Sequence, residues 1–209
     1  MLVQDLMQAP VHTATADQSL GAVYAFMQNQ QVRHLPVLRD DRLVGVITDR
    51  DLRLATSQLR SDPFDPTDAV ADVMSQPPHT AGPLDPIEEA ARLMRQHAIG
   101  CLPVVDGEIL VGIVTGTDLL DALMRLTGIS KPGGRLEVRL PDETGQLARL
   151  TATVARQGGN IRSVLSYSES ANALRVLFQV DTIKTRALAR ALHAEGIDVL
   201  WPPIGPPTA

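Results

Sequence analysis

LPVLRDDRLVGVITDRDL (35–52) returns 67 residues later as LPVVDGEILVGIVTGTDL (102–119). The shared skeleton is L-P-V, then L-V-G, two β-branched residues, and T-x-x-D-L. Outside these stretches the register holds without insertion, from Val3/Val70 and Met7/Met74 through Thr13/Thr80 and Met27/Met94. A long ungapped repeat marks duplicated structural units, each too small to bury its apolar face alone.

Within a copy the pattern changes period. Residues 3–7 carry a short helical face, with residues 72–74 as the counterpart. An extended segment at 11–13 follows Pro10. Leu20, Val23, Tyr24 and Met27 repeat at helical spacing over 17–29. In the second copy Ile87, Ala90, Ala91 and Met94 fill that face, and Pro86 suits a helix start. Residues 35–38 and 43–48 predict two strands about the turn Arg39-Asp40-Asp41. The second, Leu-Val-Gly-Val-Ile, reads as buried on both faces. A helix is expected over 49–59, with Thr48 and Asp51 at its entrance. SDPFDPT (61–67) is a proline-broken connector.

After Leu126 the run TGISKPGG (127–134) reads as an interdomain linker. Charge shifts there too. Residues 1–134 hold 10 Lys/Arg against 17 Asp/Glu, and residues 135–209 hold 9 against 7. Leu136, Val138 and Leu140 alternate as a strand. Leu147, Leu150, Thr151 and Val154 form a helical face closed by Gly158-Gly159. Strands are expected at 161–167 and 173–180, a helix at 185–195 and a short strand at 197–201. The order β-α-β-β-α-β is the ferredoxin-like plan. The tail PPIGPPTA (202–209) is expected to be flexible.

The boundaries are therefore 1–60 and 61–127 for the two copies, 128–134 for the linker, 135–201 for the last domain and 202–209 for the tail. The fold class is α/β in the broad sense, two βαββα units packed as a pair before a ferredoxin-like βαββαβ domain. The chain of 209 residues is long enough for these cores. With 3% aromatic residues, the cores must be aliphatic.

Composition excludes several functions. A net charge of −5 argues against a nucleic-acid backbone as main partner, and no basic recognition helix is visible. No apolar run is long enough to span a bilayer, and the N-terminus lacks the basic and apolar regions of a signal peptide. A cytoplasmic location is expected, in keeping with a single cysteine, Cys101, beside an apolar run that suggests core packing. The histidines at 12, 34, 79, 97 and 193 show no metal-ligand spacing, and no metal site is expected. No nucleophile, P-loop or Cys-His arrangement points to an enzyme.

The chemistry lies in the repeated T-x-x-D. A strand ending in Thr and a helix opening with Asp bring a hydroxyl, a carboxylate and free helix N–H groups together. The carboxylate can accept both hydroxyls of a ribose. The helix end and Arg50, or Arg33 and His34, can meet a phosphate. The same four residues also make a helix capping box, which alone explains Thr48/Asp51 and Thr115/Asp118.

These features resemble the CBS domain, and residues 3–126 resemble a tandem CBS pair. The match runs through M-x-x-x-P (Met7/Pro10, Met74/Pro77), the extended segments at Thr13 and Thr80, L-P-V, and the glycine before T-x-x-D. The resemblance implies two clefts about a pseudo-twofold axis that take AMP, ATP or S-adenosylmethionine. It places Asp51 and Asp118 on the ribose, with Thr48 and Thr115 beside them. Thr13 and Thr80 would line the adenine. The copies differ at Arg33-His34 against Gly100-Cys101, and at Asp49-Arg50 against Gly116-Thr117. An arginine-bearing cleft would hold phosphate more firmly.

Residues 135–201 resemble an ACT domain through Asp142-Glu143-Thr144-Gly145-Gln146-Leu147 and Gly158-Gly159-Asn160-Ile161. The resemblance implies an amino-acid site framed by Gly145, Gln146, Leu147, Asn160 and Ile161, between two paired domains. A tight turn at Gly145 and a helix cap at Gly158 are the plainer alternatives. A CBS pair followed by an ACT domain resembles the AcuB family of acetoin utilisation proteins. That implies a regulator with no cofactor beyond a regulatory adenosine nucleotide, a homodimer, and a partner enzyme. A ligand-free dimerising scaffold is the alternative.

Overall fold

A computed structural model of the protein describes residues 1–204; the last five residues of the expected tail lie outside them. The chain divides into two compact units, Met1–Leu120 and the remainder from Asp121.

In the first unit, each copy opens on a single 3-10 turn, Val3–Asp5 or Val70–Asp72. The first copy continues with strand β1 (Ala14–Thr15), helix α1 (Leu20–Gln30), strands β2 (His34–Arg39) and β3 (Arg42–Thr48), and helix α2 (Asp49–Ala55). Ser19 caps α1 by accepting from the Ala22 amide at 3.3 Å. The second copy has helix α3 (Ile87–His97), strands β4 (Cys101–Asp106) and β5 (Ile109–Thr115), and the start of helix α4 (Gly116–Thr127), whose residues from Asp121 on belong to the second unit. Its counterpart of β1 is the parallel bridge of Ala81 to Val104. The hairpins β2–β3 and β4–β5 share one register, down to a bulge at the same repeat position.

The two copies exchange their N-terminal arms. Val70 and Met74 of the second copy pack in the core of the first, with Leu20, Val23, Met27, Leu35 and Ile47. Val3 of the first packs in the core of the second, with Ala90, Met94, Leu102 and Val114. Gln8 bridges Ile113 of β5, and Ser75 bridges Val46 of β3, each through two backbone hydrogen bonds of 2.8–3.1 Å. The glycine of L-V-G makes this close approach possible. A Cβ on Gly45 would meet Met74 Sδ at 2.6 Å, and one on Gly112 would meet Met7 Sδ at 2.6 Å.

Strand β3 differs from its expected burial. Ile47 is fully buried, whereas Val46 and Thr48 are half-buried and face a cleft. The first-copy helix also ends early, at Ala55 rather than 59, and Leu59 is solvent-exposed. Thr56 closes it by donating its hydroxyl to the Leu52 carbonyl.

The second unit carries strand β6 (Gly134–Pro141), helix α5 (Gln146–Arg156), strands β7 (Ile161–Ser170) and β8 (Ala173–Val180), helix α6 (Thr185–Ala194) and strand β9 (Asp198–Trp201). The sheet order β7-β8-β6-β9 is antiparallel throughout, as the ferredoxin-like plan requires. Leu136, Val138 and Leu140 meet Val176, Phe178 and Val180, with Leu150, Val154 and Leu192 of the helices above them. On the other face Arg135, Glu137, Arg139, Glu169 and Arg175 form a ladder of ion pairs. Residues before β6 lie along this sheet: Ser163 donates its hydroxyl to the Thr127 carbonyl, and Arg162 donates to that of Pro132. Past β9, Pro202 is buried and Ile204 packs against the core.

Candidate functional site

Arm exchange creates two clefts in the first unit, and each draws on both copies. One, of about 700 Å³, is lined by Gln8, His12, Arg33 and His34 of the first copy and by Thr115 and Thr117 of the second. The other, of about 640 Å³, is lined by Thr48, Arg50 and Asp51 of the first copy and by Ser75, His79 and Cys101 of the second. Gly100 borders both.

This crossing sets the distribution of charge. Arg33 lines one cleft and Arg50 the other, so both clefts bear an arginine and each receives a single one. His34 adds no full charge near neutral pH. Burial lowers its pKa, the Arg33 guanidinium lowers it further, and Asp51 opposes them only in part. Cys101 is buried, as expected for a packed thiol. Burial, reinforced by the Asp51 carboxylate, pushes its pKa up to about 12.

Both T-x-x-D motifs form complete capping boxes. Thr48 donates to Asp51 Oδ2 from its amide at 3.0 Å and its hydroxyl at 2.7 Å, and the Asp51 amide returns a 3.2 Å bond to Thr48 Oγ1. Thr115 donates to Asp118 Oδ2 at 2.7 Å from both groups, with a 3.4 Å return bond. The cap therefore occupies one oxygen of each carboxylate. The other oxygens differ. Asp118 Oδ1 accepts from the Gln8 side-chain amide at 3.0 Å; Asp118 is 7% exposed and sits behind the first cleft's lining, which Gln8 and Thr115 supply. Asp51 lines its cleft and is half-buried.

Thr13 and Thr80 stand beside the clefts. Thr13 lines a separate depression with Val11, Asp41 and Glu108, and Thr80 precedes the Ala81 bridge. The preceding residues, His12 and His79, line the clefts instead. So do Gln31 and Ala98, which end α1 and α3 in the left-handed region at φ 55° and 54°. Recurrence at the repeat offset was the signal available for His12 and His79. Gln8 had no such signal, because the second copy has Ser75 there.

In the second unit, Gly145 caps the start of α5 at φ 92°, a conformation that favours glycine, and a Cβ there would meet open space. The Gln146 side chain donates to Glu143 at 3.4 Å, and Leu147 is exposed. The backbone N–H of Asn160 donates to Asp181 Oδ1 at 3.1 Å, and Ile161 packs against the core. The first group opens α5 and the second lies past its other end. Its 11 residues span about 16 Å, so one chain does not bring them together.

Among the described residues no cluster of three or more His, Cys, Asp or Glu could hold a metal ion, and no helix is long and apolar enough to cross a membrane.

Comparison with known proteins agrees with this architecture. The CBS-domain family model matches residues 3–57 and 70–125, and the ACT-domain model matches residues 134–197. A CBS domain-containing protein of Dictyostelium discoideum is 37% identical over 139 residues, covering 60% of this chain and 93% of that protein. The solved CBS pair of protein MJ0100, in complex with 5′-methylthioadenosine and S-adenosyl-L-methionine, is 29% identical at a TM-score of 0.54. It covers 63% of this chain and 98% of that one. CBSX2, solved with AMP, is 26% identical at a TM-score of 0.54, over 60% and 97% of the two chains. A Vibrio cholerae structure assigned as an acetoin utilization protein (AcuB) is 28% identical at a TM-score of 0.56, over 63% and 98%. The chain belongs to the CBS-domain family, as a tandem CBS pair followed by a C-terminal ACT domain.

Proposed function

We propose that the protein is a non-catalytic, cytoplasmic regulator whose CBS pair senses an adenosine-containing ligand. The observation that carries this reading is the Asp51 cleft. Its carboxylate has one oxygen taken by the cap, the other accepts no hydrogen bond among the described residues, and Asp51 lines the cleft together with Arg50. A carboxylate oxygen has two lone pairs, so Oδ1 can accept both hydroxyls of a ribose while Oδ2 keeps the helix capped. The occupants named for the MJ0100 and CBSX2 structures support the adenosine class. One arginine per cleft suits a single phosphate or a carboxylate better than a triphosphate, which favours AMP or S-adenosylmethionine over ATP.

The ACT domain pairs two chains and, in the pair, senses an amino acid. Separation of Gly145 from Asn160 along α5 means that such a site needs a second copy to close it. Similarity to AcuB supports a role in acetoin utilisation, exerted on a partner enzyme. A ligand-free scaffold is the competing reading, because complete capping boxes already account for Thr48/Asp51 and Thr115/Asp118.

Equilibrium binding of AMP, ADP, ATP, S-adenosylmethionine and 2′-deoxy-AMP separates the two. A sensor binds AMP or S-adenosylmethionine and discriminates against the deoxy nucleotide. A nucleotide-free preparation that binds none of them is a scaffold.

A further inference from the structure

Gln8 and Ser75 occupy the same repeat position and are held by the same pair of backbone bridges. Only their side chains differ. Gln8 reaches Asp118 Oδ1 at 3.0 Å. Among the described residues Ser75 makes no hydrogen bond to Asp51, and Asp51 Oδ1 accepts none. Counting lone pairs turns this into a capacity. Two bonds from Thr48 leave Asp51 two acceptor positions on its second oxygen. Two bonds from Thr115 and one from Gln8 leave Asp118 a single position.

We propose that Gln8 is the specificity-determining residue of the Asp118 cleft, closing it to full recognition of a cis-diol and making the two clefts unequal. This rests on the reading of the clefts as adenosine sites. Asp51 takes both ribose hydroxyls. Asp118, buried behind Gln8 and Thr115 in the cleft wall, takes at most one, unless the ligand displaces the Gln8 amide from a carboxylate it already satisfies. The Asp118 cleft therefore tolerates a 2′-deoxyribose that the Asp51 cleft rejects. Its affinity then depends on Arg33 and the far end of the ligand rather than on the sugar. Gln8 is exposed and its backbone bridge does not need the amide, so its removal leaves the fold intact.

The test isolates each cleft in the full-length chain and titrates AMP and 2′-deoxy-AMP. In Asp51→Ala, only the Asp118 cleft retains its carboxylate, and the two nucleotides should bind with similar affinity or not measurably. Adding Gln8→Ala should strengthen AMP about tenfold or more while leaving 2′-deoxy-AMP nearly unchanged, the scale of a hydrogen bond to a charged group. The mirror variant, Ser75→Gln in Asp118→Ala, should weaken AMP at the Asp51 cleft and reduce its discrimination. Melting temperatures of all variants check the fold. If AMP binds the wild type but Gln8→Ala shifts neither affinity nor discrimination, the role of Gln8 is overturned and the adenosine reading stands. If AMP and S-adenosylmethionine both fail to bind the nucleotide-free wild type, both fall together.

Discussion

Gly45 and Gly112 show what the repeat demands of single residues. A Cβ on Gly45 would lie 2.6 Å from Met74 Sδ and 2.9 Å from the Ser75 carbonyl oxygen. The thioether can move, but the carbonyl is fixed by its bridge to Val46. Gly45→Val is therefore expected to destabilise the CBS pair by at least about 1–3 kcal/mol, the usual range for overpacking, as measured by urea denaturation. Cys101 gives a second expectation. With its pKa pushed up to about 12, it should react with a thiol reagent at pH 8 at least about a hundredfold more slowly than an unperturbed cysteine; labelling at the free-thiol rate would contradict its burial. Much at this scale was legible. Repetition of T-x-x-D identified both caps, because a duplicated motif at a fixed offset sits in equivalent places; Thr48 and Asp51 line one cleft, whereas Thr115 lines the other and Asp118 is buried behind it. The pairing of residues across clefts was not. Arg33 and Arg50 are 17 positions apart within one copy, yet arm exchange sends them to different clefts. Gln8 was invisible for the same reason, since its partner is 110 positions away.

Elements followed their periods where one side faces a core. Strands β6 and β8 alternate, and the alternation sets their register. Helix α2 ran short because Leu54 and Leu59 imitate a helical face that the fold leaves in solvent. Its seven residues make its cap matter more. Thr48→Ala should cost about 0.5–2 kcal/mol and shift the denaturation midpoint accordingly. The sheet of the ACT domain carries a pH signature. Two guanidiniums, Arg139 and Arg175, hold the Glu169 carboxyl at about 2. A depressed carboxylate pKa contributes stability that is present above the unfolded value, about 4.3, and lost as the pH falls through the folded one. The stability difference between wild type and Glu169→Gln should therefore shrink steadily between about pH 4.3 and 2. A difference independent of pH across that window would mean the ion pairs contribute nothing. The pairs are partly exposed, so the effect is small and sensitive to salt.

At the scale of the molecule, the two units have separate cores, so damage to one should be readable apart from the other. Phe178 is fully buried in the ACT core, and Phe178→Ala should cost that unit about 3–5 kcal/mol. Nucleotide affinity of the CBS clefts should survive in the variant, because every cleft residue lies in the first unit. A ligand that binds only the folded CBS pair should raise its stability by about 2.7 kcal/mol at a hundredfold excess over Kd. The central claim is that Asp51 holds an adenosine ligand, and calorimetric titration of the nucleotide-free full-length chain tests it most directly. AMP or S-adenosylmethionine should bind the wild type with measurable heat, and Asp51→Ala should lose the tighter site while its melting temperature stays within a few degrees. Equal binding by the two proteins, or no heat from either ligand with the wild type, would contradict the account and leave Thr48 and Asp51 as a helix cap alone.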